Sequence, residues 1–242
     1  ESEDILRVSD LRRDAYFDKF DWSFKDNPLR FDMNRHTRNG LYRDRLYSVS
    51  FEIIPSLDLE YVPYDDDDLF AGPVDWWFDT HSKRLTFIHK TFNLTTLRAL
   101  LENWEIVKQP QYDTVQFTLY LVVRLCRAIT LLHGDKLVHL RVDADSVVVN
   151  TESGLVSVML PPRIMTYISE EDVEQNKESD WIMMMDVLRL VFKHLPKYQS
   201  KLLYTIQRAV ETRDIDKLLS IANNMEPIDP IKLCPLRWKS AH

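Results

Sequence analysis

The chain has 242 residues, enough for one domain or two small lobes with a core of their own. Hydrophobic residues make up 45% and charged residues 29%, ordinary globular values. The net charge of −7 argues against a dedicated nucleic-acid binder, which usually carries a basic domain. Two cysteines, Cys126 and Cys234, exclude a disulfide framework and a cysteine-rich metal site; a single bridge between them stays open for a secreted protein. The longest apolar stretches, 115–132 and 181–195, are broken by Arg124 and Arg127 or by Asp186, Arg189 and Lys193. No transmembrane segment is therefore expected, and the start Glu1-Ser2-Glu3 has no apolar h-region, so any signal peptide is expected to be already removed or never present.

In chain order, Arg30, Arg35, Arg38, Arg43 and Arg45 crowd a short stretch that Asp32 and Asp44 dilute. It reads as a solvated strand face, with a phosphate or membrane patch as the alternative. β-like runs follow at 47–54, 74–79 and 84–92, and the last two, joined by Thr80-His81-Ser82-Lys83, read as a hairpin. Between the first and second runs, the stretch 55–73 holds Pro63 and Asp65-Asp66-Asp67-Asp68. Proline and consecutive like charges speak against a long helix, and the run lacks the alternating spacing of a calcium loop, so a solvated loop is expected. After Asn93 the period becomes helical. Leu94, Leu97, Leu100 and Leu101 share one face of a short helix, with Asn93, Thr95 or Thr96 available as its cap.

Residues 114–133 read as a helix that is apolar nearly all round, hence buried at the centre of a domain. Short β-like pieces at 146–150 and 155–160 follow, joined by a turn at 151–154. Ser179-Asp180-Trp181 opens another apolar helix through 195, Pro196 ends it, and amphipathic helices at 199–212 and 215–225 complete the chain. The expected fold class is α+β: a small β-rich lobe (1–92) and a mainly helical lobe (93–242), together one domain.

The loop after the long helix reads Leu137-Val138-His139-Leu140-Arg141-Val142-Asp143-Ala144-Asp145-Ser146. From about Arg84 to Leu195 the order is strand, Phe92-Asn93 hinge, short helix, buried helix, His139 loop, paired strands and an Asp180-Trp181 helix. That order resembles the protein kinases. The resemblance implies a bilobal kinase-like fold in which Asp180 accepts hydrogen bonds from the His139-loop backbone, while His139 supports the loop.

An active kinase also places in this loop an Asp that accepts the substrate proton and an Asn that holds Mg²⁺. Laid on that pattern, Arg141 stands at the Asp, Ser146 at the Asn, and Asp143 where a Lys usually follows. The metal-binding Asp-Phe-Gly falls on Leu160-Pro161-Pro162, which offers no anionic ligand and fixes φ twice. Only 17 residues, Arg163 to Ser179, then precede the Asp180 helix, and no Ala-Pro-Glu lies among them. Glycines at 40, 72, 134 and 154 allow no Gly-rich phosphate loop. No Lys occurs between Lys25 and Lys83, and the best candidate for the ATP-lysine strand offers Glu52.

Phosphoryl transfer is almost wholly positioning and charge neutralisation, so these losses together leave no catalytic, metal-binding or cofactor-binding residue to name. The chain reads as a pseudokinase, not an enzyme, that binds other proteins as a scaffold; ATP and Mg²⁺ binding are not expected. The Leu137-Val138-His139 loop, the compact strand pair around Gly154 and the Arg-rich approach resemble, among pseudokinases, the secreted rhoptry-kinase family of apicomplexan parasites. That resemblance implies secretion into a parasite-made vacuole or cyst compartment. The alternatives are a divergent enzyme with a rebuilt nucleotide or phosphate pocket, and a non-kinase α+β interaction protein. The stretches 30–45 and 55–73, opposite in charge, are the expected partner surfaces.

Other motifs have plainer readings. The seven histidines show no metal-ligand spacing. Asn93-Leu94-Thr95 is an N-glycosylation sequon, though a helix-cap role explains Asn93 equally well. Met183-Met184-Met185 reads as core packing.

Overall fold

Alternating β-branched and aromatic residues build two sheets. The computed structural model describes residues 37–42, 45–54, 68–91, 93–107, 114–165, 168–194 and 200–230. Arg30, Arg35, Arg43, Pro63, Pro196, Cys234 and the run 65–67 lie outside them. The strands are β1 (Thr37–Tyr42), β2 (Arg45–Ile53), β3 (Phe70–Ala71), β4 (Asp75–Asp79), β5 (Arg84–Lys90), β6 (Leu94–Thr96), β7 (Val147–Asn150) and β8 (Val156–Met159). The first sheet is antiparallel in the order β1-β2-β5-β4; the second runs β3-β8-β7-β6, with β3 parallel to β8. The hairpin expected at 80–83 joins β4 to β5.

Register decides which side chains face the rest of the molecule. Ser48 opposes His89, Ser50 opposes Phe87 and Glu52 opposes Leu85, while Trp76 and Phe78 of β4 oppose Phe87 and Leu85. Opposed residues share a face. One face of the first sheet thus carries Ser48, Ser50, Glu52, Trp76, Phe78, Leu85, Phe87 and His89.

The chain does not keep its amino-terminal part to itself. After β2 it crosses to the second sheet, adds β3 there and returns as β4. Leu69 O accepts from Val158 N (2.8 Å) and Ala71 O from Leu160 N (3.2 Å). Asp68 Oδ1 accepts from Arg124 Nη1 at 3.0 Å, and its carbonyl accepts from Ser157 Oγ at 2.7 Å. The last member of the acidic run therefore anchors the crossing instead of merely facing water.

The helices are α1 (Leu97–Glu102), α2 (Trp104–Val107), α3 (Thr114–Gly134), α4 (Glu170–His194), α5 (Lys201–Glu211) and α6 (Ile215–Asn223). Two expectations need correction. Leu94 belongs to β6, because Thr96 is the helix cap: its hydroxyl accepts from Ala99 N (3.1 Å), and residues 94–96 pair with β7. The second apolar helix opens at Glu170, not Ser179. Its first turns are exposed and acidic, favoured by the helix dipole and capped by Ser169, whose Oγ accepts from Asp172 N (3.1 Å). With no apolar residue every third or fourth position, that stretch carries no periodic signal to read.

A single apolar cluster joins the parts. Leu85 and Phe87 of the first sheet, with Ile54 just after β2, join Leu121, Leu125 and Ile129 of α3, Met184 and Leu188 of α4, Val158 of β8 and Leu160 just after it. Met184 and Met185 are core residues, as expected of that triplet. By length and apolarity alone α3 qualifies as a membrane span, yet its apolar residues fill this core. The α+β class read from the sequence, β-rich first and helical after, is the one observed.

Cys126 is a free, buried thiol on α3, and burial pushes its pKa up to about 12. The nucleophile is the thiolate, so Cys126 is expected to ignore a thiol reagent such as Ellman's in the native state. Its labelling rate should follow global unfolding; fast native-state labelling would contradict this packing.

Candidate functional site

The His139 loop keeps its frame through buried residues of α4. Asp180, fully buried, accepts from His139 N at 2.8 Å through Oδ2 and from Leu140 N at 2.7 Å through Oδ1; His133 Nε2 lies 2.9 Å from Oδ2. This is the anchoring role that the sequence resemblance implies for Asp180. Leu140 sits at φ 61°, a left-handed conformation that costs a branched residue roughly 1–2 kcal/mol and that the Asp180 bond holds in place. The His139 ring spans the loop. Its Nε2 donates to Met159 O (2.6 Å) and its Nδ1 accepts from Arg141 N (3.1 Å), which defines the neutral tautomer. Burial lowers the pKa of His139, opposed by the Met159 carbonyl and by Asp180 and Asp143.

The positions that the kinase pattern would give to the metal-binding Asn and the following Lys hold side chains bonded within the loop. Ser146 Oγ accepts from Asp143 N (2.9 Å) and donates to Asp143 O (3.1 Å), while Asp143 Oδ1 accepts from the backbone N of Asp145 and of Ser146. That closed turn commits both side chains to loop structure. Burial raises the Asp143 pKa, against those backbone bonds. Asp145 pairs with Arg98 at 3.0 Å.

Arg141 and Glu52, far apart in sequence, meet. Arg141 Nη2 donates to Glu52 Oε1 at 2.9 Å, and Glu52 Oε2 accepts from Arg163 N at 3.0 Å. Arg163 Nε lies 3.8 Å from Oε1. The side chain at the expected lysine position therefore grips the one at the expected catalytic Asp position directly. Segment 160–165, which includes a 3-10 turn at Pro162–Met165, packs beneath the same sheet face. Leu160, Pro161, Pro162 and Ile164 are buried there, and Leu160 and Ile164 belong to the main core. Fully burying two such side chains stabilises the closed arrangement by roughly 1.5–3 kcal/mol each.

Sequence reasoning placed His139, Arg141, Ser146, Leu160 and Glu52 on the kinase pattern; the structure brings Glu52 and Arg141 together. It also adds Arg163 and His89, which the pattern did not single out. The exchanged charges at 52 and 141 were the available signal for the pairing. His89 faces the junction, fully buried, with neither ring nitrogen bonded among the described residues; its cross-strand neighbour Ser48 Oγ is also unbonded. Burial holds the His89 imidazole down to about 4, and the nearby Leu160 backbone opposes this without completing a hydrogen bond.

Asn93 is exposed, at φ 63°, in the turn between β5 and β6. Its carbonyl accepts from Thr151 N at 2.8 Å.

No protein-family model and no curated protein matches the chain. Among solved structures, the PknI kinase domain of Mycobacterium tuberculosis matches at 12% identity with a TM-score of 0.48, over 77% of this chain and 89% of that one.

The buried histidines fix the sign of one pH dependence. A neutral folded His89 leaves the unfolded chain holding more protons below pH 6.5, so stability is full above that value and falls as pH drops toward 4. At 1.36 kcal/mol per unit the loss from His89 reaches about 3 kcal/mol, and His139 adds to it. Asp143, with its pKa raised from 3.8, acts in the opposite sense above that value and trims the slope. Urea midpoints from pH 7 to 4 should fall for the native sequence and fall less for His89→Leu. Equal slopes would contradict the burial of a neutral His89.

Proposed function

We propose that this chain is a catalytically inactive pseudokinase that works as a protein-binding scaffold. One observation carries the reading: Glu52 and Arg141 neutralise each other at the junction between the first sheet and the His139 loop. Positions that would serve phosphoryl transfer in an active kinase are thus spent on holding the fold together. The Asp180–His139 frame supports kinase ancestry, and the buried segment 160–164 supports a junction filled by protein. Resemblance to the secreted rhoptry kinases adds, as part of the same proposal, secretion into a parasite's vacuole or cyst compartment.

The test uses thermal melts. A ligand raises stability only by binding the folded state. Adenosine is expected to leave the melting temperature unchanged, and Mg²⁺ or Mn²⁺ added to ATP should give no rise beyond ATP alone. A metal-dependent rise would favour the divergent-enzyme alternative and overturn this reading. The scaffold half is tested by cross-linking and pull-down from the native compartment, with Arg35, Arg38 and Arg43 changed to Glu. Loss of partners supports the basic stretch as the binding surface; an unchanged partner set moves that surface elsewhere.

A further inference from the structure

The two guanidinium groups that meet at Glu52 are only partly used. Arg141 gives one N–H, from Nη2, to Glu52 Oε1. Arg163 holds Oε2 through its backbone, while its own Nε stops at 3.8 Å from Oε1. Neither guanidinium makes another hydrogen bond among the described residues. Each is a planar fork of five N–H donors suited to bidentate oxyanion contacts. Side-chain exposures of 27% for Arg141 and 38% for Arg163, against 15% for Glu52, leave part of each arginine side chain in solvent while their shared carboxylate is mostly covered.

Charge does not balance at this point. Among the described residues two cations share one carboxylate, an excess of one positive charge in a chain whose net charge is −7. The nearby acids of the His139 loop are otherwise engaged. Asp143 is turned into its own loop by the backbone of Asp145 and Ser146, with burial disfavouring its charged form, and Asp145 is paired with Arg98. His139, bonded at both ring nitrogens, is neutral and adds no charge.

We propose that Arg141 and Arg163 form an anion site that takes a phosphate-monoester-type oxyanion from solvent, without a metal ion, against the standing competition of Glu52. Glu52 has two opposed effects: it holds both arginines in place, and it repels the incoming dianion. The site is therefore weak in the native sequence, and removing the Glu52 charge strengthens it. Such a site is independent of the scaffold role.

The experiment compares melting temperatures in inorganic phosphate and in phenyl phosphate, each against chloride at matched ionic strength, because screening alone alters exposed charge pairs. At ligand about tenfold above its dissociation constant, the expected rise is about 3–6 °C. Phosphate also stabilises proteins generally by exclusion from their surface, so the decisive quantity is the difference between variants. Arg163→Gln, at a partly exposed side chain, should fold normally and lose most of the rise. Glu52→Gln should melt lower without ligand yet show a larger rise with it. Should Glu52→Gln fail to fold, ³¹P line broadening of phenyl phosphate by the native chain, absent with Arg163→Gln, tests the same site. Equal rises in the native chain and Arg163→Gln, or a smaller rise in Glu52→Gln, would overturn the proposal. A response to inorganic phosphate with none to phenyl phosphate would overturn the monoester class.

Discussion

The carboxylate of Glu52 is where the first sheet takes hold of the rest of the molecule. It sits on β2, on the face that also carries Leu85 and Phe87, and it bonds both Arg141 of the His139 loop and the backbone of Arg163. A carboxylate this covered would be costly if unpaired, so its burial and its two partners belong together. Apolar packing of Leu160 and Ile164 alone fixes no register between sheet and loop. The ion pair does, because guanidinium and carboxylate must meet within hydrogen-bond distance. Asp180 performs the matching task on the helical side by fixing the backbone from which Arg141 projects. The crossing at β3, anchored by Asp68 and Arg124, ties sheet and helices a second time at a separate place.

These constraints bear on what the chain can do. In an enzyme of the resembled kind, a metal–nucleotide complex bridges opposite charges across the cleft. Here the opposite charges lie on the protein and meet directly, so the joint needs no ligand to close. A surface formed across a pre-closed joint would lose less conformational freedom on binding, in keeping with the proposed protein-binding role. The polar atoms of Ser48 and His89 that find no partner among the described residues are a cost that such a closed form carries.

Much of this was legible in the sequence, for physical reasons that differ by element. The long apolar run gave α3 nearly to the residue, because most of its circumference is buried and only a narrow strip around Arg127 and Thr130 is exposed. The hairpin at 80–83 and the strand pair around Gly154 were read from β-like runs separated by only four residues. The acidic opening of α4 was not, since its exposed turns have no apolar period. β3 was missed because two residues cannot show alternation, and its pairing with β8 is set by the long-range crossing rather than by local preference. At the site, the identities of Arg141, Ser146 and Leu160 were legible as departures from the resembled pattern. What they are bonded to came only from the fold, and Arg163 acts through a backbone N–H that no side-chain pattern encodes.

The most direct measurement is a double-mutant cycle on the Glu52–Arg141 pair, with Glu52→Gln, Arg141→Gln and the double variant compared by urea denaturation. A closed joint held by this contact gives a coupling energy of roughly 1–3 kcal/mol, the double variant losing clearly less than the sum of the single losses. Losses that add within about 0.3–0.5 kcal/mol, as for distant independent sites, would mean the two side chains do not hold the sheet to the loop.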